Sequence, residues 1–471
     1  MNMTTPSRAR TRMLAATLAA AALSGCASLS PDAGFAPVQR AAKDRLGTDL
    51  QWSRSSADQD AIDRRVAELL KQPLSADDAV QLALLNNRGL QAAFQELGIA
   101  DADRVQAGRL PNPSLTLGRL RQGGEVEIDR SLQFNLLRLL TLPAAQRHEA
   151  GRMAQTRMAV TAQVLALAAE TRKAYIQALA TEEIARYAVQ VQAAAEAGAD
   201  LARRQAQAGN WNKLQQAREQ GFYADAALGL ARAEQASGAA REQLTRLLGL
   251  WGASAEFQLP ERLPDLPKQA KDLPDVEQTA MAQRMDVQAA KLGAEQLASS
   301  LGLTRAIRFI NVLEVGATRN GFNDLPVQRG FSVTLELPIF DWGTARVARA
   351  EALYLQAVHR TAQAAIEARS EVRQAYAGYR SSYEIARHYR DEIVPLKKRI
   401  SDENLLRYNG MLIGVFELLA DARSQIASVQ GYIAALRDFW LAQAELDMAL
   451  IGKPTFAPPA MSGMAAGQSE P

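Results

Sequence analysis

The chain has 471 residues, of which 48% are hydrophobic but only 6% aromatic, so much of its apolar content is Ala and Leu, a composition that favours long, closely packed helices. The net charge is +3, and because the first 25 residues hold three arginines and no acid, the remaining chain counts 3 − 3 = 0. A chain with this balance does not show the excess of positive charge that is typical of nucleic-acid-binding proteins. The single cysteine, Cys26, excludes an intrachain disulfide and a metal cluster held by thiolates.

The N-terminus is typical of a targeting segment. Three arginines precede the apolar stretch "MLAATLAAAALSG" at 13–25, which is shorter than the roughly 20 residues that a spanning helix needs. The stretch ends in "LSGC", which resembles the lipobox of a bacterial lipoprotein. That resemblance implies that 1–25 is a signal peptide, that Cys26 carries a covalent lipid, and that Ala27 directs the protein to the outer membrane. The alternatives are an uncleaved anchor, or a simple secretory signal with a chance cysteine.

A polar N-terminal arm follows at 26–73, with one predicted short helix near 58–71. The first repeat, 74–259, then begins with a capping-box pattern, because Ser75 is followed three residues later by Asp78. Apolar residues recur at helical spacing after this cap until the prolines of "LPNPSL", which predict the end of the helix.

Two strands are predicted next, in a β-hairpin at about 113–137. The second of them, "EVEIDRSLQFNLL", alternates apolar and polar residues with the period of two that strands show, and the lapse is Arg130 on its apolar side. A long helical hairpin is predicted at about 144–249, and its first helix of some 60 residues would be roughly 90 Å long. This is too long for one compact domain.

The same plan then occurs a second time. A proline-rich connector at 260–274 leads to the second repeat, which ends in a proline-, glycine- and alanine-rich tail that we expect to be disordered. The glycines that break the two long hairpins are 201 residues apart, which indicates a tandem duplication. The second repeat spans 275–453, with a helix at 275–306, a β-hairpin at about 309–340, a long helical hairpin at about 344–451, and the tail at 454–471.

The predicted strands have one apolar and one polar face and are about 9 to 11 residues long. This is typical of a transmembrane β-barrel, although a sheet that is half buried on a soluble core gives the same alternation. Four strands from one chain cannot close on themselves, and an open edge cannot lie in lipid, so a barrel would require several copies of the chain.

The last helix carries apolar residues with the four-three spacing of a coiled-coil seam, together with a second, adjacent stripe. Two stripes fit a helix with neighbours on both sides, as in a ring of helices, whereas a plain antiparallel coiled coil remains the alternative. The seam consists of Ala422, Ile426, Val429, Ile433, Leu436 and Trp440, and the second stripe of Tyr432, Phe439 and Leu446.

Four segments together resemble the TolC-type outer-membrane efflux proteins: "LSADDAVQLALLNN", "LPNPSL", "ELPIFDWGTARVARAEA" and "RYNGMLIGVFELLADARSQ". The resemblance implies a mainly α-helical homotrimer with a membrane β-barrel of twelve strands, joined to an α-helical barrel in the periplasm. It also implies a passive exit duct in the outer membrane, whose partners are a periplasmic adaptor and an inner-membrane pump. Apart from the lipid on Cys26, it implies no cofactor, no metal and no enzymatic activity.

The two breaks in the long hairpins are the predicted periplasmic tips and adaptor contacts. Glycines there tolerate the left-handed conformation that ends a helix, and simple helix ending is the alternative role for them. The predicted tip residues are Gly209, Asn210, Trp211, Tyr408, Gly410, Met411, Leu412 and Gly414.

Glu417 and Asp421 follow the second tip at a spacing of four, so they share one face of the helix. The resemblance implies that carboxylates near this position ring the aperture and set cation preference; Glu417 matches the family's first carboxylate, whereas Asp421 falls one position late for the second. A solvated acidic patch near a helix N-terminus is the alternative.

Two other classes of function are alternatives to the duct. A lipid-anchored periplasmic coiled-coil scaffold without a pore is the first alternative to the duct. A hydrolase or lyase is the second, but the sequence offers no nucleophile with a base, no phosphate-binding glycine loop, and only three widely separated histidines.

Overall fold

The computed structural model describes residues 28–310 and 312–454. The predictions for the signal peptide, for Cys26 and for the tail beyond residue 454 lie outside these residues. The described helices are α1 Phe35–Leu46, α2 Ser56–Leu69, α3 Ala76–Asn86, α4 Arg88–Ala107, α5 Leu136–Gln207, α6 Lys213–Leu248, α7 Val276–Gln283, α8 Met285–Ala306, α9 Thr344–His388, α10 Val394–Asn409 and α11 Val415–Ile451. The strands are β1 Ser114–Gln122, β2 Glu125–Asn135, β3 Leu313–Phe322 and β4 Gln328–Leu335.

The chain divides into two compact units. The first contains the described residues up to Arg40, together with Ala93–Val160 and Gln288–Ala364, and it holds all four strands. The second contains Ala41–Ala92, Thr161–Val287 and the described residues from Ala365 onward. Each repeat contributes one β-hairpin to the first unit and most of one long helical hairpin to the second.

The four strands form a single antiparallel sheet in the order β1-β2-β3-β4. The two hairpins, one from each repeat, join along β2 and β3, where Leu132 lies opposite Ala317 and Phe134 opposite Val315. The strands β1 and β4 are therefore edge strands, each paired on one side only.

Helix α5 begins at Leu136, directly after β2, whereas the sequence placed its start near 144. The earlier start has a local cause, because the side chain of Asn135 accepts a hydrogen bond from the backbone N–H of Arg138 at 2.8 Å and caps the helix there. Pro143 consequently lies inside α5 rather than before its start.

The change from strand to helix after β4 depends on one glycine. Gly343 has a φ of +72°, and a Cβ atom there would lie 2.5 Å from the backbone oxygen of Arg308. Its N–H donates to the side chain of Asp341 at 2.8 Å, which fixes the turn immediately before α9. Only glycine satisfies both the left-handed conformation and the close approach.

The core of the second unit is built around Phe439 on α11, which is fully buried. Its ring packs against Tyr379 and Tyr383 of α9, with centroid separations of 5.5 and 5.8 Å. The predicted second stripe of α11 is thus its most buried face, since Phe439 and Leu446 are 0% and 1% exposed. In the predicted seam, Ile433 and Leu436 are buried as well.

Each repeat contains a break that the sequence did not predict. The single helix expected after Ser75 is divided into α3 and α4 at Asn87, whose side chain accepts from the N–H of Leu90 at 3.0 Å. In the second repeat the break falls at Arg284, between α7 and α8. This guanidinium is buried and donates to Asp286 and Glu371, both at 2.7 Å. The pKa of Arg284 is lowered by burial and raised by these two carboxylates, with a net increase.

The proline-rich connector packs against the helices. Leu263 and Leu266 are buried, and the indole N–H of Trp440 donates to the carbonyl of Pro264 at 3.0 Å. The hydroxyl of Tyr383 donates to the carbonyl of Lys268 at 2.8 Å. Because prolines leave backbone carbonyls without helical partners, the aromatic side chains of α9 and α11 supply the missing donors.

Candidate functional site

The tip of the first helical hairpin, between α5 and α6, is closed by backbone hydrogen bonds. Gly209 adopts a φ of +78°, and the N–H groups of Asn210 and Trp211 donate to the carbonyl of Gln205 at 2.9 and 3.3 Å. Asn212 then caps α6 in a capping box. Gly209 therefore ends the helix in the left-handed conformation, as its residue type predicts.

The tip of the second hairpin, between α10 and α11, corrects one expectation. Gly410 has a φ of −81°, and the left-handed position is taken instead by Met411, at +61°. The N–H of Met411 donates to Tyr408 at 2.9 Å and that of Leu412 to Arg407 at 2.8 Å. A left-handed non-glycine residue costs about 1–2 kcal/mol, so this tip is held against a local strain.

The side chains at this second tip are presented to solvent. Met411 is 92% exposed and Leu412 78% exposed, while Tyr408 is partly exposed. Gly414 lies in an extended conformation immediately before α11. Exposed large apolar side chains at a strained turn form a compact surface that another protein can cover.

The two predicted aperture carboxylates have different surroundings. Glu417 is exposed in the first turn of α11. Asp421, one turn further on, is half-buried and accepts a hydrogen bond from the side-chain amide of Asn404 on α10. Asp421 is thus engaged within its own hairpin, whereas Glu417 is open to solvent.

An ion pair that sequence analysis missed links the two hairpins near these tips. Glu219 on α6 is 1% exposed and pairs with Arg423 on α11, which is 28% exposed. The guanidinium of Arg423 also lies 4.4 Å from the centroid of the Phe222 ring, and Arg218 lies 5.7 Å from that of Phe416. Three contacts thus tie α11, which carries Glu417 and Asp421, to α6.

No local pattern marks this pair in the sequence, because Glu219 and Arg423 are 204 positions apart (423 − 219 = 204). A single Glu or Arg on a helix is typical of a solvated surface. The nearest signal is Gly198 on α5, where a Cβ atom would lie 3.7 Å from Glu219 and 3.8 Å from Leu419. These are ordinary van der Waals distances, so a side chain would fit there and this glycine is only a weak signal of the approach of α6 and α11.

The second candidate surface is the face of the sheet on which the apolar side chains of the strands lie, called the apolar face. Successive rows across the strands carry Phe134, Val315 and Val333, then Leu132, Ala317 and Phe331. Phe331 is 85% exposed and Val333 58% exposed in the chain. An exposed apolar area of this extent is the mark of a surface that meets lipid or another protein.

Large aromatic side chains stand at the helix-proximal border of this sheet. Phe340 is 99% and Trp342 60% exposed, and the Trp342 ring meets Phe309 edge to face at a centroid separation of 6.3 Å. Aromatic side chains at the border of an apolar band are typical of a membrane interface.

The fold is that of outer-membrane channel proteins. The chain superposes on the crystal structure of CusC, described as forming a transmembrane channel, with a TM-score of 0.66 and 20% identity over 80% of this chain and 92% of that one. For a membrane protein from Pseudomonas aeruginosa, the TM-score is 0.68 and the identity 21%, over 80% and 93% of the two chains. For the MtrE outer membrane channel of Neisseria gonorrhoeae in its open state, they are 0.65 and 21%, over 80% and 89%.

A family model matches the sequence of the second repeat and the end of the connector before it. Residues 268–447 match the family model described as "Outer membrane efflux protein". The resemblance that the sequence segments indicated is therefore confirmed: this chain has the sequence of that family in its second repeat and the fold of its channels over four fifths of its length. No curated protein matches the chain in a sequence comparison.

Two further observations concern the described residues alone. None of their helices contains an apolar stretch long enough to cross a bilayer. In the same part of the chain, no three His, Cys, Asp or Glu side chains come together in a way that could hold a metal ion.

Proposed function

We propose that this chain is one subunit of an outer-membrane efflux channel, a passive exit duct for small molecules or ions. The observation that carries the proposal is the uncovered apolar face of a sheet with two unpaired edges. Unpaired backbone groups cannot lie in lipid, so β1 of one copy would pair with β4 of the next until a barrel closes. The alternating directions of the strands make that new pairing antiparallel, like those within the chain.

Three copies, as in the TolC-type family, would bring together twelve strands. The long helices of the copies would then surround one periplasmic tube. The duct does no chemistry of its own and takes its cargo from an inner-membrane pump through a periplasmic adaptor. A lipid on Cys26 would add a second attachment to the outer membrane, since a single acyl chain anchors a protein only weakly.

In this proposal, the α10–α11 hairpin is the movable part of the aperture. The pair between Glu219 and Arg423 holds α11 against α6, and opening requires that pair to separate. Glu417, open to solvent on α11, contributes a carboxylate from each copy to a negative collar that favours cations. Met411 and Leu412 at the tip are the proposed contacts with the adaptor.

The proposal is tested with the full chain purified in detergent and reconstituted in planar bilayers. A duct gives a heat-sensitive oligomer of three subunits and discrete conductance steps. A chain that is monomeric and water-soluble after Cys26→Ser, and that never conducts, would support the lipid-anchored scaffold instead. Mass spectrometry of the mature N-terminus tests the lipid separately, because it detects the acyl chains directly.

A further inference from the structure

The charged residues of the sheet are separated by face. The five arginines of the strands all lie on the apolar face, while the four carboxylates of the strands all lie on the opposite one. The arginines are Arg119, Arg121, Arg130, Arg319 and Arg329, and the carboxylates are Glu125, Glu127, Asp129 and Glu314.

Three of the arginines form a row across neighbouring strands, named the arginine row here. Arg130 on β2 lies opposite Arg319 on β3, which lies opposite Arg329 on β4. All three are exposed, and none is in an ion pair with a carboxylate within the described part of the chain. Like charges directly opposite one another destabilise a sheet, so this row calls for an anion that the chain does not supply.

The position of the row along the strands defines where that anion lies. On one side of it is the apolar band, with Leu132, Ala317 and Phe331 in the next row. On the other side are the two hairpin turns, where Arg119 and Arg121 add positive charge to the same face. The row therefore lies at the border of the apolar band, away from the aromatic border with Phe340 and Trp342.

We propose that the arginine row binds the phosphate groups of anionic lipids in the leaflet at the hairpin-turn end of the barrel. This inference rests on the proposed function, because it needs the apolar face to meet acyl chains. Arginine is suited to the task, since its planar guanidinium binds phosphate through two parallel hydrogen bonds and remains charged at all relevant pH values. The lipid that fits has phosphates at the headgroup and acyl chains that cover the apolar band.

The test uses the full chain reconstituted in nanodiscs of phosphatidylcholine, with and without a phosphorylated lipid such as lipid A. The test variant combines Arg130→Gln, Arg319→Gln and Arg329→Gln. The control combines the same change at three exposed arginines of α9, Arg360, Arg369 and Arg380. Bound lipid is counted by native mass spectrometry, and stability is read as the thermal midpoint of oligomer dissociation.

We expect lipid A to raise the midpoint of the wild type and of the control, and to bind the test variant roughly a hundredfold more weakly, as three lost arginine contacts near an anionic surface imply. The difference shrinks in high salt, which screens the charges. Equal lipid binding by the test variant and the wild type would overturn the inference, as would equal stabilisation by inorganic phosphate in the absence of the anionic lipid. Conductance in planar bilayers separates the two proposals. If the wild type conducts but does not prefer the phosphorylated lipid over phosphatidylcholine, only this inference is overturned. If the chain never inserts, the proposed function is overturned.

Discussion

The ion pair between Glu219 and Arg423 allows the proposed aperture to be tested by one substitution. Arg423→Met keeps much of the stem of the side chain but removes its charge, so Glu219, 1% exposed, loses its cation. Removing one partner of a buried pair costs about 3–5 kcal/mol, and because Arg423 is 28% exposed we take the lower end, about 3 kcal/mol. The contact with the Phe222 ring is lost as well.

A change of about 3 kcal/mol shifts a two-state equilibrium by roughly a hundredfold. If about 1% of the channels are open before the change, about half would be open after it. We therefore expect Arg423→Met to raise the mean conductance of reconstituted channels by more than tenfold, and to lower the thermal midpoint of the helical structure.

Two further variants show whether the buried charge is the cause. Glu219→Leu combined with Arg423→Met removes both charges, and its stability should return to within about 1 kcal/mol of the wild type, because replacing both partners of a buried pair by apolar residues is often neutral. Arg387→Met breaks an exposed pair with Glu384 on α9, and it should cost less than about 1 kcal/mol. The reasoning is refuted if Arg423→Met conducts like the wild type, or if it loses no more stability than Arg387→Met.

Three other predictions follow from single residues. Glu417→Gln should reduce the preference for cations in single-channel recordings severalfold, whereas Asp421→Asn should change it less, because Asp421 is already engaged by Asn404. Asp447→Asn should stabilise the chain at neutral pH, since burial raises the pKa of that carboxyl above its usual value and makes its ionised form unfavourable in the folded state. The ionised form of Asp447 destabilises the folded state, and this destabilisation grows as the pH rises above about 4, the usual pKa of an Asp. The stability gained by Asp447→Asn should therefore disappear in unfolding experiments at acid pH. Met411→Gly should stabilise the tip by about 1 kcal/mol, because glycine adopts a positive φ without strain, and should at the same time weaken binding of an adaptor.

Each of these has an outcome that contradicts it. Unchanged ion selectivity of Glu417→Gln would remove that carboxylate from the collar. A gain from Asp447→Asn that is the same at pH 3 and pH 7 would mean that packing, not charge, is responsible. For Met411→Gly, slower hydrogen exchange at the tip with undiminished adaptor binding would confirm the strain but exclude Met411 as a contact.

Much of the fold follows from local patterns in the sequence. The alternation in "EVEIDRSLQF" predicts β2 and its two faces, because a strand places successive side chains on opposite sides. The capping box at Ser75 and Asp78 predicts the start of α3, since both hydrogen bonds form within four residues of one another. The duplication predicts that the second repeat supplies the same elements, and the single sheet β1-β2-β3-β4 bears this out.

Local patterns failed where another part of the chain decides the conformation. The break at Arg284 exists because the buried guanidinium reaches Asp286 and Glu371, the latter 87 positions away. The left-handed residue of the second tip could not be assigned from type alone, because glycine and methionine are adjacent there and only the backbone closure of Leu412 onto Arg407 selects Met411.

The sequence by itself determined the order of the β-hairpins and long helical hairpins, that the plan occurs twice, and which face of each strand is apolar, but not every helix start and break. Only the tertiary structure decided which residues meet across the elements. The register that aligns Arg130, Arg319 and Arg329, and the pairing of Glu219 with Arg423, join positions that are far apart in the chain. Periodicity is a property of neighbours along the chain, whereas a register or an ion pair depends on how separate elements pack, and so it appears only when the fold is formed.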